Sequence, residues 1–246
     1  MLIFKEIQLL PEIFLGISII YLIIHGTFIS VNTKFLLIHN SVLYLSVLII
    51  SLFCFLTINN VVECNGFQIF NSTITVDYLS FSSKAWIAVM ATFCFLMIQG
   101  YISKQKINYF EYSILILFAL LGIFFICSAN DLITAYLSIE LQSLSFYIMA
   151  AMKKDSTFSV DAGLKYFILG AFSSSLFLFG SSILYGVSGT VNFDDLKNLF
   201  FLIPLEEKNV GTFVDHIFLN GGLIQFALVS IFVSLLFKLA VAPFHL

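Results

Sequence analysis

The sequence predicts an all-α membrane protein of about seven transmembrane helices, the last of them broken near Pro243. Three observations carry that reading. Sixty per cent of the 246 residues are hydrophobic and only 10% are charged. The mean hydropathy of +1.06 lies beyond ordinary water-soluble domains. The apolar runs are also far longer than the ~9–11 residues of a barrel strand, so strands are not indicated. No stretch is polar enough to make a soluble domain, and residues 1–246 read as a single membrane domain.

A helix needs about 20 apolar residues to cross the hydrocarbon core, and the candidate spans are roughly 12–30, 35–58, 78–101, 111–129, 131–151, 158–186 and 217 to the C-terminus. Pro11 stands at the start of the first span, where its missing N–H is not needed. The segment before it has neither a basic region nor a small-residue cleavage site, so it reads as a retained span. His25 reads as a hydrogen-bonded packing residue. Lys84, six residues into the third span, is expected to snorkel to the interface. The fourth and fifth spans meet at "SANDL", too short for anything but an antiparallel pair, with Asp131 capping the fifth. The long loop at about 187–216, with Pro204 and Gly211, shows no further domain.

All eleven basic residues are lysines, which removes the guanidinium forks of phosphate and nucleic-acid recognition. The loops after the first, third and fifth spans carry Lys34, Lys104, Lys106, Lys153 and Lys154, while the opposite loops carry mainly acids. Lysines collect on cytoplasm-like faces, so the N-terminus is expected on the other side. Cys54, Cys64, Cys94 and Cys127 lie far apart and read as free thiols, with no cluster or disulfide.

The informative residues are charges inside spans. Glu140 lies about nine residues from either end of its helix, roughly 13 Å deep and too far for a short side chain to snorkel. Tyr136, Ser143 and Tyr147 stand at i−4, i+3 and i+7 from it, a polar stripe on one face. A neutral carboxylic acid holding helices together would fit that face. A carboxyl that takes and releases protons fits it too. Lys165 follows Asp161 by one turn, so it can form a local ion pair, snorkel, or join a buried path. Downstream, "GAFSSSLFLFGSS" is rich in the small residues that let helices pack closely. Lys238 precedes Pro243 by five residues, so the helix should break beside the lysine, with the titratable His245 just beyond. Broken helices at membrane depth line ion paths, although a plain proline kink with an interfacial lysine is the simpler alternative.

The stretches "LPEIFL", "ICSANDLITAYLSIELQSLSFYIMAA", "DAGLKYFILGAFSSSLFLFGSSILYG" and "FKLAVAPFHL" resemble the antiporter-like membrane subunits of respiratory complex I, most closely their subunit 2 branch. The resemblance runs along nearly the whole chain. It implies three leading helices at 12–101 and part of the first antiporter-like repeat at 111–246, the first half of an inverted-repeat fold. It also implies a buried proton path through Glu140, Lys165 and Lys238, with no redox centre in this chain. NADH, FMN, iron–sulfur clusters and ubiquinone are then expected in other subunits. The family pattern continues beyond "PFHL" with a Trp-x-Pro-Asp motif and a second repeat, so a second polypeptide completing the subunit is expected, beside other membrane-arm subunits and lipid. Thirty phenylalanines without one arginine suggest A- and T-rich codons of an organellar genome. The expected location is therefore the mitochondrial inner membrane, with the N-terminus toward the intermembrane space. A stand-alone sodium/proton antiporter and a structural scaffold subunit are the competing functions.

Overall fold

The computed structural model describes residues 8–30, 35–61, 66–105, 110–202 and 221–241. In chain order the elements are α1 (Leu10–Ser30), α2 (Phe35–Val61), β1 (Phe67–Ile69), β2 (Ile74–Val76), α3 (Tyr78–Gln105), α4 (Glu111–Ile126), α5 (Leu132–Ala150), α6 (Thr157–Ser188), α7 (Phe193–Leu202) and α8 (Gly221–Lys238). Among the described residues, five helices are long and apolar enough to cross a membrane: α1, α2, α3, α5 and α6. The shorter apolar helices α4 and α8 complete the seven that the sequence predicts. Pro11 falls in the first turn of α1, as expected.

The helices form two neighbouring groups. In the first, α1–α4 enclose a core in which Leu15, Ile19, Leu22, Ile50, Phe53, Phe95 and Phe124 are essentially shielded. Phe53 and Phe124 stack with centroids 4.2 Å apart. The second packs α5, α6 and α8 around Leu132, Phe177, Leu184 and Ala227, with Leu196 of α7 closing one end. Apolar side chains such as Ile17, Phe28, Phe55, Met97, Phe179 and Phe232 point outward, as in a protein solvated by acyl chains. Lipid removes most of the hydrophobic drive between helices, so close packing and hydrogen bonds must hold them.

Small residues provide the close packing. A Cβ at Gly122 of α4 would lie 2.8 Å from the Ser138 carbonyl oxygen and 2.9 Å from the Gln142 nitrogen of α5, which brings the two backbones into contact across the antiparallel pair. Gly163 meets Ala151, Gly170 meets the Tyr147 hydroxyl, and Gly180 meets Ser230 and the Ala227 carbonyl. These contacts bring both α5 and α8 close to the backbone of α6.

The expectation that strands are absent is corrected by an antiparallel hairpin, β1–β2, with Phe67 opposite Val76 and Ile69 opposite Ile74. It lies in the connection between α2 and α3, too short and too polar to be a span. Its turn carries three successive non-glycine residues with positive φ, Phe70, Asn71 and Ser72. Side chains and backbone from two other connections hold that unusual turn. Asn130 and Asn192 both donate to the Ser72 carbonyl, at 3.0 and 2.9 Å, and the Asn130 N–H donates to the Thr73 carbonyl at 2.9 Å. Asp194 accepts from Gln68 and from Asn130 at 2.8 and 2.9 Å. The result is a polar knot on the face where α1, α3, α5 and α7 begin. It fixes the start of α5, whose Leu132 N–H donates to the Val191 carbonyl and whose Asp131 accepts from the Ile133 N–H as the predicted cap.

Two readings of charged and polar positions also meet the structure here. Lys84 does not snorkel: it is 1% exposed and paired with Glu12 at 2.6 Å. Both residues lie near the helix ends on the same face, so they neutralise each other inside the bundle. His25 is a packing residue, stacked on Tyr21 at 5.8 Å, but its Nδ1 has no hydrogen-bond partner. Cys54, Cys94 and Cys127 are free thiols, and Cys64 lies outside the described residues.

Candidate functional site

The fifth and last helices of the transmembrane set meet at an ion pair. Lys238 Nζ lies 3.5 Å from Glu140 Oε2, with both side chains about one-fifth exposed. The same carboxylate oxygen accepts a hydrogen bond from the Ser143 hydroxyl at 2.9 Å. Ser143 is placed by helical spacing alone, one turn beyond Glu140, and its hydroxyl also reaches the Glu140 carbonyl at 3.0 Å. Glu140 is thus stabilised by one charged and one neutral donor on a single oxygen.

Lys238 reaches this position because α8 ends there. The Ala240 N–H donates to the Phe237 carbonyl at 3.1 Å and the Val241 N–H to the Leu236 carbonyl at 3.2 Å. These two bonds, with Ala240 at φ 51°, form a Schellman cap. Alanine in the left-handed region costs roughly 1–2 kcal/mol, where glycine would be free. The break therefore falls beside the lysine, as the sequence predicts, and is built from backbone three residues before Pro243. Pro243 and His245 lie outside the described residues.

A cavity of about 460 Å³ adjoins the pair, lined among others by Ser143, Tyr147, Tyr166, Gly170, Ser173 and Lys238. Its wall is partly apolar, with Ile139, Phe146, Leu169 and Phe237, but the hydroxyls and one ammonium offer partners for water beside the ion pair. Tyr147 is buried, with its ring edge-to-face on Tyr166 and Phe167. Tyr136 stacks on Phe177 at 6.0 Å, on the other side of Glu140 along α5. The predicted stripe of Tyr136, Glu140, Ser143 and Tyr147 accordingly faces α6 and α8.

Lys165 is not brought to this cluster. It is exposed on the outside of α6, one residue before the cavity-lining Tyr166. The described residues include the ion pairs Lys84–Glu12 and Lys238–Glu140, and the local Asp161–Lys165 pair that the spacing allows is not formed. Sequence reasoning missed the Glu12–Lys84 pair. Opposite charges within the first two turns of helices that start on the same face were the available signal. No group of three or more His, Cys, Asp or Glu able to hold a metal occurs among the described residues.

The segment that carries the Glu–Lys pair matches a known family. The family model for the transmembrane region of NADH:quinone oxidoreductase and Mrp antiporters matches residues 129–246, the segment that contains Glu140, Lys165 and Lys238. Residues 129–246 belong to this family. Its relatives include NADH-ubiquinone oxidoreductase chain 2 of Marchantia polymorpha, 36% identical over 98% of this chain and 47% of that protein. NADH-quinone oxidoreductase subunit N of Paramagnetospirillum magneticum is 35% identical over 98% of this chain and 46% of its own length. The fold matches a chain of respiratory complex I from Thermus thermophilus with a TM-score of 0.69 and 22% identity, covering 96% of this chain and 45% of that one. The chain thus spans about half the length of these antiporter-like subunits, and the recognised stretches fall in their N-terminal half.

Proposed function

We propose that this chain forms part of a proton path in the membrane arm of a proton-pumping NADH:quinone oxidoreductase, and that it carries no redox centre of its own. The observation that carries the proposal is the Glu140–Lys238 pair, set at a helix break beside a cavity whose wall includes several hydroxyls. The two charges attract by several kcal/mol at this separation in a medium of effective dielectric about 20. Movement of the Lys238 ammonium by a few ångströms would therefore change the cost of ionising Glu140. The Schellman cap leaves Lys238 at the last helical position, where its chain can move without disturbing the helix before it. Ser143 stays within reach of the carboxylate and supplies a neutral donor when the ammonium departs.

Tyr136 and Tyr147 shape the polar face, and we assign His245 and the exposed Lys165 to the continuation of the path. Lys165 needs a covering surface to work at membrane depth. The half of the relatives' length that this chain does not span, whether joined to it or supplied by a second polypeptide, would cover the apolar outer faces of α6 and α8. Other membrane-arm subunits and lipid would complete the surroundings. NADH, FMN, iron–sulfur clusters and ubiquinone would bind elsewhere in the assembly. The lysine distribution and the Marchantia relative support a mitochondrial inner-membrane location with the N-terminus toward the intermembrane space. Simultaneous measurement of NADH oxidation and proton translocation in membranes carrying Glu140→Gln tests the proposal. Translocation should fall while the assembly persists, and unchanged translocation would refute it.

The family description also names Mrp antiporters, which favours a second reading, a sodium/proton antiporter. Sodium-dependent proton flux from the purified chain in liposomes, without NADH or other subunits, would support that reading instead.

A further inference from the structure

The Glu12–Lys84 pair is buried inside the first helix group. Leu9, just before α1, lies three residues nearer the knot face than Glu12, and Leu15 of α1 three residues deeper. On α3, Phe81 and Ala88 bracket Lys84 in the same way. Leu9 and Phe81 join Ile69 and Val76 of the hairpin in one apolar cluster, while Leu15 and Ala88 belong to the main core. The ion pair is therefore sandwiched between two apolar layers, and the β1–β2 hairpin forms part of the outer one.

Its hydrogen bonding is lopsided. Lys84 Nζ donates to Glu12 Oε1 at 2.6 Å and stands 5.4 Å from the centre of the Phe81 ring. Glu12 Oε2 is buried without a protein partner, and so is Gln8 Oε1, two residues before α1 begins. Gln8 stands four positions before Glu12 at the entry to α1, so the two acceptors enter the bundle within about one turn's length of chain. Two acceptors cannot satisfy each other. An ammonium carries three N–H donors, and only one of those on Lys84 is taken up by Glu12.

We infer that Gln8, Glu12 and Lys84 form an internal water site, in which one water donates to Glu12 Oε2 and Gln8 Oε1 and accepts from Lys84. A water has two donors to give and room for a donor from the lysine, so all three groups are served by one molecule with about three hydrogen bonds, the usual number for buried water. The apolar layers on either side retain it. The site then acts as a hydrated clasp that ties α1 to α3 beneath the hairpin. Unlike the Glu140–Lys238 pair, it has no neighbouring break to let its lysine move.

A high-resolution map of the protein in its native membrane assembly tests this. A single density peak within about 3.2 Å of both Glu12 Oε2 and Gln8 Oε1 is expected. An empty map there, or a Gln8 amide turned to donate straight to Glu12, would overturn the site. The double variant Glu12→Leu with Lys84→Met serves as a second test, because it removes both charges together and should keep the helix packing. Its map should show no peak at this position. A peak that persists with the pair gone would also overturn the assignment.

Discussion

Glu140 Oε2 receives both Lys238 Nζ at 3.5 Å and the Ser143 hydroxyl at 2.9 Å, so one oxygen joins α5 to the broken end of α8. A longer charged contact competes there with a shorter neutral one. Lys238→Met should remove the charged partner and leave Ser143 in place. Proton translocation should fall at least tenfold, about 1.4 kcal/mol in barrier terms, with the assembly retained. Ser143→Ala should have the milder effect, since Lys238 remains. Translocation per NADH oxidised, measured for both variants in native membranes, checks the order.

The end of α8 gives a prediction about stability. Ala240 holds a left-handed conformation at φ 51°. Ala240→Gly should stabilise the cap by about 1 kcal/mol, because glycine adopts that conformation without a Cβ penalty. Ala240→Val should destabilise it by more than that, since branching at Cβ worsens the same clash. Thermal denaturation of the detergent-solubilised protein would show the two variants moving in opposite directions.

Glycine positions on α6 separate packing from propensity. A Cβ at Gly180 would lie 2.8 Å from the Ala227 carbonyl oxygen and closer still to Ser230 Oγ, whereas nothing lies within 4 Å of one at Gly186. Gly180→Ala must push α8 away from α6 and should cost about 1–3 kcal/mol. Gly186→Ala meets open space and should gain roughly 0.5–1 kcal/mol from helix propensity. Thermal stability of the two variants, read side by side, distinguishes a helix contact from a general intolerance of alanine.

Most of the helix pattern was legible because membrane spans announce themselves by length and hydropathy, and Glu140 because a short acid cannot reach water from the middle of its span. Lys238 was legible through Pro243, five residues on. The Schellman cap was not, since alanine does not signal a left-handed residue. The hairpin escaped because three-residue strands in a polar loop carry too few alternations to stand out, and its turn is held by Asn130 and Asn192 from distant connections. Lys84 was misread for a related reason: its partner lies 72 positions away on α1. A lysine near a span end looks the same in sequence whether it reaches for water or for a carboxylate.

That hidden pair supports a last prediction. Glu12 and Lys84 are both about 2% exposed at the side chain, so neither charge can turn to bulk water if its partner is lost. Lys84→Met alone would leave the Glu12 carboxylate buried and unpaired, a loss of about 3–5 kcal/mol. Removing both charges with Glu12→Leu and Lys84→Met should recover most of that loss, because an apolar pair of similar volume has no charge to desolvate. Comparing the amounts of folded protein in membranes for the single and double variants gives a direct measure of coupling. A single variant as abundant as the parent would show that the pair does not hold α1 to α3. A double variant no better than the single would show that the side-chain volumes, and not the charges, are what this part of the bundle requires.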